Sequence, residues 1–189
     1  MKTRRAPIVD RKLRFALVGC GRIAQNHIEA LHRHAGEAEL AAVCDTDPVA
    51  LNAAVQATHA QGFDSLTALL AGSQPDCVAL ATPSGLHPQQ VIEIAAAGVE
   101  VMTEKPMATR WSDGLAMVRA CDEAGVRLFV VKQNRRNRTL QLLKQAIGLG
   151  GMLADGLEVV LRNASAADEG ESDPAVADRR ASNVHSWGL

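Results

Sequence analysis

Short apolar runs alternate along this chain with amphipathic stretches. Arg14 to Gly19 reads as a strand buried on both faces, since Phe15 to Val18 form an unbroken apolar run. Residues 22–34 carry Ile23, Ala24, His27, Ile28 and Leu31 at helical spacing. Residues 39–44 read as a second strand, and Asp47-Pro48 opens a second helix with Asp at the N-cap and Pro at N1. Residues 76–81 give a third strand, followed by a helix near 86–97 that Gly98 ends. Residues 99–102 form a strand, and a helix near 112–124 carries Leu115, Val118 and Cys121 on one face before Gly125. Residues 127–131 close the series as a strand. The stretch 64–70 reads as a short helix on a connection that lacks a clear strand. Strands alternating with helices imply parallel pairing, so the expected fold class is α/β, a doubly wound parallel sheet.

One further helix is expected over 138–147, with Leu140, Leu143 and Ile147 on one face. Beyond about Gly148 the periodicity stops. Glycines crowd together, 157–161 suggests one strand, and 163–180 holds almost no large apolar residue. Such a stretch buries too little surface to offset its ordering entropy. The expected organisation is therefore a flexible tail over 1–12, a Rossmann domain over 13–131, a connecting helix over 132–147 and an aberrant, disordered tail over 148–189. The abrupt change suggests translation in a shifted frame from about Gly148.

Composition narrows the classes. Apolar residues make up 47% of 189, enough for a sizeable core. The net charge of −1 gives no field that points to nucleic acid. The basic start is followed by an apolar run too short for a signal peptide, and no stretch reaches membrane-span length. A cytoplasmic location is expected, with the four scattered cysteines buried and reduced. No metal cluster is expected. The chain has no Tyr, which excludes a tyrosine acid.

The candidate chemistry lies at strand ends. Gly19-Cys20-Gly21-Arg22-Ile23-Ala24 matches G-x-G-x-x-A between a strand and a helix. Gly19 suits the tight turn, Gly21 leaves room for a pyrophosphate, and Ala24 permits close helix–strand packing. Arg22, Ile23 and Ala24 begin the helix whose amides and dipole favour phosphate. Asp45 ends the second strand, positioned to accept from ribose hydroxyls; a carboxylate there favours NAD over NADP. A competing reading makes Asp45 only the start of the turn before Asp47. Thr82 and Pro83 follow the next strand and are expected beside the nicotinamide ribose, and Ser84 after them is expected to bind the cofactor. His87 is expected near the cofactor, or exposed at a helix start. Glu104-Lys105-Pro106 ends the following strand. A lysine there reaches both a substrate hydroxyl and the nicotinamide, and takes the hydroxyl proton or holds its oxygen. A cis bond before Pro106 is a further expectation.

In this order G-C-G-R-I-A, C-D-T-D-P, A-T-P-S-G-L-H-P and E-K-P resemble the Gfo/Idh/MocA oxidoreductase family. The runs 101–111 and 129–137 are similar to its sugar-nucleotide dehydrogenases of the WlbA/WbpB type. Those oxidise C3 of UDP-N-acetylglucosaminuronic acid with NAD, for surface polysaccharide synthesis. The resemblance covers about 13–147 and implies that Lys105 is the catalytic lysine. It implies that Glu104 supports the nicotinamide ribose. It also implies that Gln133, Asn134, Arg135 and Arg136, with Lys105, bind a UDP-sugar substrate. Family members continue into a C-terminal substrate domain that this sequence is expected to lack. A homo-oligomer is expected only of a full-length form. The alternatives are a non-catalytic NAD-binding remnant and a redox-sensing binding module.

Overall fold

The computed structural model describes residues 8–149, which fall into two compact units, 8–131 and 132–149. The expected tail over 148–189 lies almost wholly outside the described residues, and so does the suggested strand at 157–161.

The first unit holds six strands. These are β1 (Leu13–Val18), β2 (Ala38–Cys44), β3 (Gln61–Phe63), β4 (Cys77–Leu80), β5 (Glu100–Thr103) and β6 (Leu128–Val130). They form one parallel sheet in the order β3-β2-β1-β4-β5-β6. Five helices connect them: α1 (Ala24–Arg33), α2 (Pro48–Thr58), α3 (Leu66–Ser73), α4 (His87–Ala96) and α5 (Trp111–Ala124). The doubly wound sheet expected from the sequence is present, with element ends shifted by up to three residues.

Burial on both faces follows from period-two alternation along β1. Ala16 and Val18 pack with Leu80 of β4 and with Leu69, Val91, Ile94 and Met117 from the layer of α3, α4 and α5. Leu17 points the other way, with Ala24 and Ile28 of α1 and Ala54 of α2. The inner face of α5 is set by Gly114, Met117 and Cys121, while Leu115 and Val118 are only partly buried. Asp47 caps α2 as expected, accepting from the Val49 amide at 2.9 Å. Gly98 (φ 73°) and Gly125 (φ 74°) adopt the left-handed backbone that ends α4 and α5.

Two features depart from the sequence reading. β3 was not visible: three residues, with polar Gln61 and Gly62, are too short to show a period. Arg11, assigned to a solvated tail, instead clamps Asp76 with two bonds of 2.6 and 2.7 Å. Asp76 also accepts from the Arg14 amide at 2.8 Å. On β5 the mostly buried Glu100 accepts from the Arg127 amide and guanidinium. These carboxylates tie the amino ends of β1, β4, β5 and β6 together, away from the edge that carries the chemistry.

All four cysteines are free and buried. Burial is the first cause that pushes Cys20 up to about 11 and Cys44 and Cys121 up to about 12, and it pushes Cys77 up as well. A thiol raised in the folded state favours folding below its ordinary value of 9.0, and that contribution is lost as pH rises through the raised value. The melting temperature is therefore expected to fall between pH 9 and pH 12. At pH 8 a thiol reagent should label none of the four in the folded chain within minutes and all four in denaturant. Rapid labelling of the folded chain would contradict the buried arrangement.

Candidate functional site

In a parallel sheet every strand ends on the same edge, so the segments after β1, β2, β4 and β5 converge. The ladder continues past the strands and locks these segments together. Gly19 N donates to Cys44 O at 2.8 Å, Ala81 N to Val18 O at 2.8 Å and Glu104 N to Leu80 O at 3.2 Å. The strand order reverses between β1 and β4, which opens a crevice at this edge. Gly19, Gly21, Arg22, Ile23, Ala24, Asp45, Thr82, Pro83, Ser84, Glu104 and Lys105 all belong to these converging segments. A groove lined by Ile8, Arg11, Gln74 and Asp76 lies at the opposite end of the strands and holds none of them.

The glycine loop has the geometry of a phosphate cradle. Gly19 has φ +91°, and a Cβ there would lie 2.8 Å from the Ala81 carbonyl carbon and 2.9 Å from the Thr82 nitrogen. The turn thus requires glycine because another backbone passes against it. At Gly21 a Cβ would meet no described atom within 4 Å, so this backbone faces open space. No side chain caps the start of α1; its Ala24 and Asn26 amides turn back to Gly21 O and Ile23 O, and the positive end of the helix dipole is open to an anion. An uncapped helix end behind an open glycine fits a dinucleotide pyrophosphate.

Asp45 organises this loop from the next strand. Its Oδ2 accepts from the Cys20 amide at 2.7 Å and its Oδ1 from the Asp47 amide at 2.9 Å. Each carboxylate oxygen has a second acceptor position. The turn-forming role and the ribose role are therefore compatible.

After β4, Thr82 Oγ1 donates to Gln90 Oε1 at 2.6 Å, Pro83 is exposed, and Ser84–Leu86 make a single 3-10 turn into α4. His87 is not the exposed helix-start residue that one reading allowed: it is 1% exposed. Its Nε2 lies 3.0 Å from Thr82 O and its Nδ1 3.2 Å from Pro106 O. The ring thereby bridges the turn after β4 and the turn after β5. Replacing His87 by alanine should destabilise the domain by about 2 kcal/mol, since it removes a buried ring and leaves whichever carbonyl accepts its N–H without that donor. Denaturant melts of the two proteins check this, and equal midpoints would show that the bridge carries no stability.

The Lys105–Pro106 bond is cis, as the sequence reading expected. Lys105 is exposed, and its amide donates to Glu104 Oε2 at 3.3 Å. The other oxygen of Glu104 lies 3.0 Å from Nε2 of His27 on α1. Nothing in the sequence near His27 signals that partner, because His27 is one more position on the inner face of a helix. Among the described residues no group of acidic, histidine or cysteine side chains is arranged to hold a metal. No described helix is long and apolar enough to cross a membrane.

The second unit begins with a 3-10 turn, Gln133–Arg136, and continues as α6 (Arg138–Leu149). Gln133, Asn134 and Arg135 are exposed, and the Asn137 side chain caps α6 by accepting from the Thr139 amide at 3.0 Å.

Comparison with known proteins agrees with this geometry. Residues 13–132 match the family described as "Oxidoreductase family, NAD-binding Rossmann fold". The crystal structure of the WlbA dehydrogenase from Chromobacterium violaceum, in complex with NADH and UDP-GlcNAcA, is 66% identical with a TM-score of 0.73. That match covers 75% of this chain and 41% of the other. The corresponding Bordetella pertussis complex is 64% identical with a TM-score of 0.72, over 74% of this chain and 43% of the other. An inositol 2-dehydrogenase from Ralstonia nicotianae is 33% identical over 177 residues, 88% of this chain and 50% of that protein. The chain spans about half the length or less of these relatives. With its sheet order, glycine loop and E-K-P turn on one edge, the chain belongs to the Gfo/Idh/MocA oxidoreductase family and carries its NAD-binding Rossmann domain.

Proposed function

We propose that this chain supplies the cofactor half of an NAD-dependent sugar-nucleotide dehydrogenase acting on C3 of a UDP-N-acetylglucosaminuronic acid-like substrate. The observation that carries the reading is the convergence of Gly19, Gly21, Asp45, Glu104 and Lys105 on one sheet edge. The high identity to WlbA dehydrogenases that bind NADH and UDP-GlcNAcA supports the substrate class. Gly21 and the start of α1 hold the diphosphate, and Asp45 accepts from the adenosine ribose. NAD, when bound, supplies the acceptor for the hydride that leaves C3. Oxidation to the ketone balances with the hydride on NAD and the C3 hydroxyl proton taken by Lys105, or, where Lys105 only holds the oxygen, with that proton released to solvent. Gln133, Asn134, Arg135 and Arg136 are assigned to substrate binding on the sequence resemblance. A second reading is an NAD-binding piece without turnover of its own.

The test uses the 189-residue chain. NADH binding is measured by fluorescence, then NADH formation from NAD and UDP-N-acetylglucosaminuronic acid by absorbance. Turnover supports the dehydrogenase, binding without turnover supports the second reading, and no binding overturns both. If turnover is seen, Lys105→Met should lower kcat about 1,000-fold while NADH affinity stays within about threefold.

A further inference from the structure

We infer that His27 is a positioning residue for the nicotinamide end of the site, acting through Glu104; the inference rests on the NAD-binding reading above. The juxtaposition is long-range, since His27 and Glu104 are 77 residues apart. β5 lies two places from β1 in the sheet, beyond β4. The Glu104 carboxylate therefore leans across the end of β4 to reach α1. Both side chains are mostly enclosed, with 11% of His27 and 18% of Glu104 exposed.

A carboxylate offers about four acceptor positions. His27 Nε2 uses one on Oε1 and the Lys105 amide uses one on Oε2. One position on each oxygen is left for a pair of ribose hydroxyls. Because the acceptor is a carboxylate, Nε2 must carry the proton of the pair. His27 also sits on the helix whose first turn faces the phosphate cradle. The contact thus fixes the ribose acceptor relative to the diphosphate site, and the histidine itself need not touch the cofactor. A carboxylate held this way does not have to be ordered when the dinucleotide binds.

The test compares two amides of different reach. Gln presents its nitrogen near the position of Nε2, while Asn falls one methylene short. NADH reads the whole site, and ADP reads the adenosine and diphosphate part alone. His27→Asn should weaken NADH about tenfold and leave ADP within about twofold. His27→Gln should stay within about threefold of wild type for both ligands. Loss of NADH binding shared by the Asn and Gln variants, or shared equally by ADP, would overturn the inference and mark His27 as a general structural residue. His27→Asn binding NADH as wild type does would overturn it too. Wild-type protein that binds neither ligand would instead remove the NAD reading on which the inference stands. Thermal melts of both variants accompany the titrations, and His27→Leu provides a third, apolar replacement.

Discussion

Replacing Gly19 by alanine is expected to abolish NADH binding and to destabilise the domain by about 3 kcal/mol or more, lowering Tm by about 10 °C. Two causes add. At φ +91° an L side chain is strained whatever the space around it. The new Cβ would also lie 2.8 to 2.9 Å from the Ala81 carbonyl group and the Thr82 nitrogen, which are backbone atoms and cannot rotate away. Relief requires moving the glycine loop away from the turn after β4. That would break the bond from Ala81 N to Val18 O or the one from Gly19 N to Cys44 O. Gly21→Ala is the matched control. Its Cβ meets nothing within 4 Å, so folding stability should change by no more than about 1 kcal/mol. NADH binding should nevertheless fall at least about 30-fold, since the added methyl occupies the space that the pyrophosphate needs. Differential scanning fluorimetry and fluorescence titration separate the two effects. A Gly21→Ala protein with wild-type NADH affinity would contradict the cradle.

The residues most legible in the sequence share one property: their chemistry is local. The glycine loop, the Asp47-Pro48 cap and the E-K-P turn each declare themselves within a few residues, because a tight turn or a helix start admits few side chains. Two-sided burial of β1 is legible for the same reason, since the unbroken apolar run Phe15 to Val18 is a local pattern. Contacts between distant segments were not visible. His27 and Glu104 meet over 77 residues, and Arg11 meets Asp76 over 65. Nothing in either segment alone predicts its partner. His87 shows the intermediate case. Its place at a helix start was plain, but its burial depends on the turn after β5 folding over it, with Pro106 O beside its ring. β3 escaped for a different reason. Its pairing with Ala42, Val43 and Cys44 comes from the neighbouring strand, and Gln61-Gly62-Phe63 carries almost no strand signal of its own.

The sharpest chemical test of the adenosine end is Asp45→Asn. The substitution keeps size and one acceptor oxygen but removes the charge. Accepting from a ribose hydroxyl is stronger for a carboxylate than for an amide, so NADH affinity should fall about tenfold. A 2′-phosphate suffers the opposite effect. At about 4 Å two like charges cost several kcal/mol at the effective dielectric of a protein surface, so removing the repulsion should favour NADPH. The ratio of NADH to NADPH affinity is therefore expected to drop about 100-fold, most of it from the improved NADPH binding and the weakened NADH binding together. Asp45 also holds the Cys20 and Asp47 amides, and the amide replacement supports only one of them as before. A purely turn-forming Asp45 would thus weaken both dinucleotides alike, with the ratio unchanged. The ratio separates the two roles because any disturbance of the glycine loop acts on the diphosphate common to both ligands, while the charge acts only at the 2′ position where they differ.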